Sequence, residues 1–400
     1  MNLRKCFLII ILCSSLTGSS TALEAPEQIS VAPCTQKTLR IKVLLDEQPM
    51  HSQKQWQISS SHDITIADPE APGKKINLHT HDLSIRVHEG YFFLNKHRMK
   101  SKKVLIIPTK GTLSFQGKTY PGSLLLTLQD DKQYLVNVVE LEEYVYCVLK
   151  TESWPGWPLE VNKVFAIACR SYAMAMVVRS AKLKTALPYH IKNSNSHQTY
   201  TGLHSNAVLQ EAVEQTKGVF LAYNNQPIIA MFDCCCGGVI PARIAGFDFQ
   251  KAPYLSRDYP CTFCKTCKIY NWKAEFAIKE LEHVFHKTLH SGQRLKEFRV
   301  IKNDKAGLVE EVILRSGRKS NTLSGKQLYS LLDEVKSYCF TIRRRGSMIT
   351  INGRGYGHHI GLCQWGARQM VNDGWDYQSV LQFYYPGTFQ AKLNLGRVAL

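Results

Sequence analysis

The stretch Val139-Glu140-Leu141-Glu142-Glu143-Tyr144, continuing to Thr151-Glu152-Ser153-Trp154-Pro155, decides how the chain is read. Helical spacing over residues 141–153 puts Leu141, Val145, Val148, Leu149 and Glu152 on one face, so a carboxylate ends an otherwise apolar stripe. Pro155 biases the residue before it away from helix, which stops the helix near Ser153 or Trp154. Glu152 then lies in the last turn, where the negative end of the helix dipole opposes its charge. Partial burial pushes the same way, and both raise a carboxyl pKa. A carboxyl still protonated near neutral pH suits a general acid. On the pattern alone, a Glu at a helix end is more often a solvated charge or an ion-pair partner.

Upstream of this stretch the chain reads as strands. Leu39–Leu44, Leu83–Val87, Val104–Ile107 and Ser123–Leu128 are apolar or alternating runs separated by Gly and Pro turns. Helices take over from 140 to about 182, then mixed structure, then another strand-rich region. Elements of each type run in blocks, which predicts an α+β protein with a β-rich N-terminal region, a helical segment and a mixed C-terminal part. The second helix opens with Pro158, suited to a first helical position. Val161, Val164, Phe165, Ala168, Tyr172, Ala175 and Met176 trace its buried face. Lys163 and Arg170 lie off that stripe and read as exposed charges, or as groups that meet a substrate carboxylate.

The first residues are a targeting segment. Arg4 and Lys5 precede the apolar run Phe7–Leu12, and Ser20-Thr21-Ala22 offers a small-residue cleavage site. The reading is export, to the periplasm or cell envelope, with a signal peptide over 1–22 and a polar linker over 23–37. The 50 basic and 32 acidic residues of the 400 give a net charge of +18, which favours anionic partners such as an acidic polymer or a membrane surface. No aromatic-interleaved basic motif favours nucleic acid. Cys234, Cys235 and Cys236, with Cys261, Cys264 and Cys267, crowd six cysteines into a short span. Disulfides are the default for an exported chain, and no cofactor is expected. A structural zinc site on Cys236, Cys261, Cys264 and Cys267 is the alternative.

Six ordered segments carry a resemblance. They are Leu141–Val145 with Glu152, Trp157–Glu160 and Ala168–Ala173; His197–Gly202; Ala212–Gly218; Cys236–Gly238; Gly353–Ala367; and Tyr384–Thr388. Together they closely resemble the SpoIID/LytB domain, the stage II sporulation protein D family, over residues 135–392, with residues 38–134 as a β-rich region before it. The resemblance implies a lytic transglycosylase that cleaves peptidoglycan glycan between N-acetylmuramic acid and N-acetylglucosamine, typically on strands already stripped of stem peptides. Glu152 is the position carried over as catalytic, serving as acid and then as base. One carboxylate suffices in that chemistry, unlike ordinary glycosidases with a facing pair. Glu142, ~15 Å away along the same helix, is too far to be a partner.

The resemblance also implies substrate contacts, for which Lys163, Arg170, Tyr172, Gln198, Tyr200, His358, His359 and Gln364 are the candidates. The glycines of 353–366 indicate a close backbone approach, either to a ligand or to another part of the chain. Trp154, Trp157, Tyr172, Tyr356 and Trp365 read as sugar-stacking platforms or as core. Some family members carry a zinc site with Cys, His and Cys where this chain has Lys192, Ser196 and His197, so that site is expected to be absent. Other members are amidase enhancers, which makes a non-catalytic activator of a cell-wall amidase the competing expectation.

Overall fold

The structure, a computed structural model, describes residues 38–393 apart from 72–74, 155, 184–186 and 287–293. The signal peptide and linker expected over 1–37 lie outside the described residues. Within them the chain forms two compact units, one from residues up to 228 together with 390–393, the other from 229–389. Among the described residues, seven helices and many strands in several sheets make it α+β, with the β-rich N-terminal region that the sequence predicts.

In the first unit a seven-stranded sheet is built around Arg40–Pro49, Lys132–Glu140 and Ser123–Gln129. Arg40–Pro49 runs antiparallel to Lys132–Glu140 with Arg40 opposite Glu140, and Ser123–Gln129 pairs on the other side. The first six residues of Ser123–Gln129 are all buried, which is why Leu124, Leu125 and Leu126 follow one another without alternation. Ile191–Lys192 adds a short parallel edge beside Val43 and Leu44. A second sheet of six strands comes from residues 56–120.

Lys132–Glu140 passes without a connection into helix α1 (Leu141–Glu152). The last strand of the β-rich region is also the lead-in that sets where α1 begins. Helix α2 (Leu159–Lys182) packs on α1, on α3 (Ala207–Gln215) and on the strand Val219–Tyr223. Because partners surround it, every residue from Val161 to Met176 is buried except the partly buried Lys163, rather than a single stripe. By length and composition α2 could cross a membrane, but 83% of its apolar window is buried inside the fold.

The second unit holds two three-stranded sheets. In one, Met348–Arg354 lies between Asn271–Ala277 and Phe340–Arg345; in the other, Val309–Ser316 lies between Leu295–Asn303 and Lys319–Leu323. Phe232–Asp233 and Leu362–Cys363 form a short parallel pair. Helices α4 (Ile278–Val284), α5 (Gly325–Leu331), α6 (Gln364–Asn372) and α7 (Tyr377–Tyr384) complete it. Ser324 and Gln327 cap the start of α5 reciprocally, and Asp376 caps α7. Cys363 caps α6, its sulfur accepting the Gly366 N–H.

Candidate functional site

Helix α1 stops at Glu152 because Ser153 turns extended, its N–H still bonded to the Leu149 carbonyl. Ser153 Oγ donates to Asn162 Oδ1 at 2.5 Å, and Asn162 Nδ2 donates to the Trp157 carbonyl at 3.0 Å, which ties the end of α1 to the start of α2. The last two residues of α1 then grip both backbone polar groups of one residue, Thr199, in the segment that follows Ile191–Lys192. Glu152 Oε1 accepts the Thr199 N–H at 2.6 Å, while Thr151 Oγ1 donates to the Thr199 carbonyl at 2.5 Å. Asn193 Oδ1 accepts the Tyr200 N–H at 2.8 Å, so the segment is held from both sides. It ends at Gly202, whose φ of +80° and closeness to the Thr119 carbonyl leave no room for a side chain.

Glu152 is half-buried, close to Tyr144, Cys169 and Tyr172. Burial pushes its carboxyl up to about 7, and the hydrogen bonds from Thr199 only partly oppose that. Glu142, on the same helix, is taken up elsewhere. Its carboxylate receives Arg170 Nη2 at 2.6 Å, Arg170 Nε at 3.0 Å and the Gly218 N–H at 3.1 Å. Near neutral pH the arrangement therefore offers one carboxyl that can give a proton and take one back.

The other sequence candidates fall into three groups. Arg170 is 0% exposed, so the expectation of an exposed charge does not hold. Its guanidinium joins Glu142 and the Val219 carbonyl, because a cation inside a packed helix must have its donors paired. Gln198 and Tyr200 are likewise buried. Gln198 Oε1 accepts the Tyr144 hydroxyl at 2.7 Å; Tyr200 stacks on Tyr144 and donates to Asn137 Oδ1 at 2.6 Å. These two hold the walls around Glu152. Tyr172 is buried as well, with its hydroxyl 3.0 Å from His197 Nδ1. Burial, together with Lys192 and Arg179, lowers His197 to about 4 and keeps it neutral. Lys163 pairs with Glu160 at 2.5 Å. Trp154 stacks on Trp157, which packs on Phe165.

His358, His359 and Gln364 belong to the second unit. His359 is buried, with Nδ1 2.8 Å from the Cys236 carbonyl and its N–H on Asp233 Oδ2. Burial lowers both histidines to about 4. The close approach indicated by the glycine signature is made to the chain itself. Gly361, for one, lies so near the Met231 carbonyl that a Cβ would fall onto it. No disulfide joins any two of the described cysteines, so the disulfides expected among them are not formed. The four-cysteine alternative is also corrected at one place. Cys236, Cys261 and Cys264 do converge, but the fourth is Cys363, while Cys267 Sγ lies 3.7 Å from Cys235 Sγ.

Three parts of the first unit's site escaped the sequence reading: Thr199 as the donor to Glu152, Tyr144 as a wall of the pocket, and the Ser153–Asn162 bond. Asn162 carried a signal, being a short polar residue directly after Val161, on a helix whose apolar face continues at Val164 and Phe165.

Residues 129–223, which include Glu152 and every group described around it, match the family model SpoIID, Stage II sporulation protein. The site is that of a SpoIID domain. Over these residues the chain matches the SpoIID family, and it is similar to relatives of that family beyond them. It is 29% identical over 290 residues to an uncharacterized protein of Brachyspira hyodysenteriae, covering 72% of this chain and 76% of that one. It is 26% identical to the Stage II sporulation protein D of Bacillus subtilis, covering 63% and 75% of the two chains. It is also 26% identical to the Amidase enhancer of Bacillus subtilis, spanning 60% of this chain but only 39% of that protein.

Proposed function

We propose that this protein is an exported peptidoglycan lytic transglycosylase with Glu152 as its acid and base. The observation that carries the reading is the half-buried Glu152 carboxyl pushed up to about 7 by burial, set in the matched domain. The chemistry needs one such group. Glu152 gives its proton to the oxygen linking muramic acid C1 to the next sugar as the C1–O bond breaks. The carboxylate so formed takes the proton of the muramic acid's own 6-hydroxyl as that oxygen bonds to C1. An anhydro ring closes, the carboxyl is restored and no water is consumed.

The substrate is glycan, preferentially stripped of stem peptides. Removing peptides exposes a lactyl carboxylate on every second sugar, and a chain of net charge +18 attracts such a polymer. Likeness to the Amidase enhancer supports a second reading, a glycan-binding activator of a cell-wall amidase. The two part at Glu152. Glu152→Gln keeps the size of the side chain and removes the transferable proton, so glycan cleavage should fall at least ~100-fold while the fold is retained. Cleavage persisting in a folded Gln variant would contradict the role of Glu152. Amidase stimulation by wild type and variant alike, without cleavage by either, would establish the activator.

A further inference from the structure

Cys236, Cys261, Cys264 and Cys363 are each no more than 1% exposed, and their four Sγ atoms all lie within 4.8 Å of one another. Cys236 and Cys264 are 3.7 Å apart. A zinc ion bound at Zn–S distances of about 2.3 Å in a tetrahedron separates its sulfurs by about 3.8 Å. Two disulfides would instead draw the sulfurs into two tight pairs. A multi-iron cluster would need room between the sulfurs that this spacing does not leave. We propose that these four cysteines bind one zinc ion as a closed, structural four-thiolate site, distinct from the Glu152 pocket.

The surroundings are those of a thiolate site. Cys363 Sγ accepts two backbone N–H groups, from Cys236 and Gly366, each at 3.3 Å. The Tyr384 hydroxyl lies 3.1 Å from Cys261 Sγ. Donors turned toward sulfur stabilise bound thiolates and fix their direction. Gly366 makes the approach feasible, since a Cβ there would meet both Cys261 Sγ and the Tyr384 hydroxyl. Four thiolates leave a zinc site with net negative charge. Arg257, 1% exposed, lies nearby with its Cζ 5.6 Å from the Tyr384 ring centroid. Its Nε and Nη2 have no hydrogen-bond partner among the described residues. A buried guanidinium with unpartnered donors is costly beside neutral thiols and is offset beside an anionic centre.

The ligands come from three places. Cys236 follows the strand Phe232–Asp233, Cys261 and Cys264 flank the start of the 3₁₀ turn Phe263–Thr266, and Cys363 caps α6. One ion therefore joins three segments of the second unit, and its binding free energy becomes folding free energy for that unit. The ligands must lose their thiol protons on binding, so uptake releases protons and weakens at low pH.

The test is metal analysis of the purified full-length chain, with thiol counting after denaturation in chelator. The expected result is about one zinc per chain, with all four thiols recovered once the metal is removed. Cobalt(II) exchanged into the site should give the visible bands of a tetrahedral thiolate complex, and chelator should lower the midpoint of thermal unfolding. Cys267→Ser should keep its zinc, whereas Cys264→Ser and Cys363→Ser should lose it. Should those two fail to fold, the wild-type metal content and the cobalt spectrum decide. A metal-free wild type with the four cysteines oxidised would overturn the proposal. So would stoichiometric iron in place of zinc, or loss of the metal from Cys267→Ser with retention in Cys363→Ser.

Discussion

Glu152 and Cys264 are both reactive groups on short elements inside the protein, yet their neighbours treat them oppositely. Around Glu152 the walls are tyrosines and a cysteine, and a backbone N–H holds one carboxyl oxygen. Burial disfavours the ionised form by more than that N–H favours it, and the proton is kept within reach of neutral pH. Around Cys264 three further thiols crowd in, with backbone N–H donors turned toward Cys363 Sγ and the Tyr384 hydroxyl 3.1 Å from Cys261 Sγ. That setting suits sulfurs that have already given up their protons. Burial alone does not say what a reactive group is for; the polarity of its neighbours does.

The largest structural effect that sharpens this contrast is expected at Arg170. Removing one partner of a buried ion pair leaves a charge without compensation and costs about 3–5 kcal/mol. Arg170→Met should fall near the lower end, because Glu142 keeps 22% of its side chain exposed. The loss should register in urea unfolding, with KM for glycan unchanged in whatever folded fraction remains. A raised KM with intact stability would return Arg170 to the substrate.

Next comes the pH dependence of Glu152. Its folded value, about 7, lies above the ordinary 4.5, so the folded chain keeps a proton that the unfolded chain has lost. Stability should therefore fall as pH rises through that window, by at most about 3 kcal/mol. Glu152→Gln should lack this decline and be the more stable protein at pH 8. Wild-type cleavage should decline above pH 7 as the acid ionises. Coincident stability profiles for the two proteins would show that the carboxyl is not perturbed.

Tyr144→Phe is expected to be milder. It strips the buried Gln198 carbonyl of its donor, costing about 1–3 kcal/mol in chemical denaturation. Tyr144 does not bind glycan in this account, so retention of an inactive Glu152→Gln chain on glycan should survive the added substitution. The smallest effect is electrostatic. That inactive chain should bind stripped strands better than intact ones, and the difference should shrink with salt. Equal binding at low salt would assign the positive charge to another anionic surface.

What the sequence revealed follows from how local the signal was. Glu152 stood out because α1 is amphipathic and its apolar stripe ends in an acid, a pattern readable within twelve residues. The β-rich start was equally legible, since Arg40–Pro49 and Ser123–Gln129 carry apolar runs between turns. Arg170 was misread because α2 is buried on nearly all sides, and helical periodicity cannot reveal that an apparently outer face meets α3 and Val219–Tyr223. Cys363 was missed for a different reason. It lies 127 residues from Cys236, so no spacing rule joins them, and the nearer Cys267 filled the pattern instead. Thr199 contributes a backbone N–H, which no side-chain pattern announces.

The central claim, that one carboxyl cleaves glycan without water, is tested most directly by end-group mass spectrometry. Purified peptide-stripped strands would be incubated with the wild-type chain in water enriched in heavy oxygen. The account predicts fragments ending in anhydro-muramic acid with no heavy oxygen incorporated. Uncut strands, or reducing ends that carry the label, would contradict it.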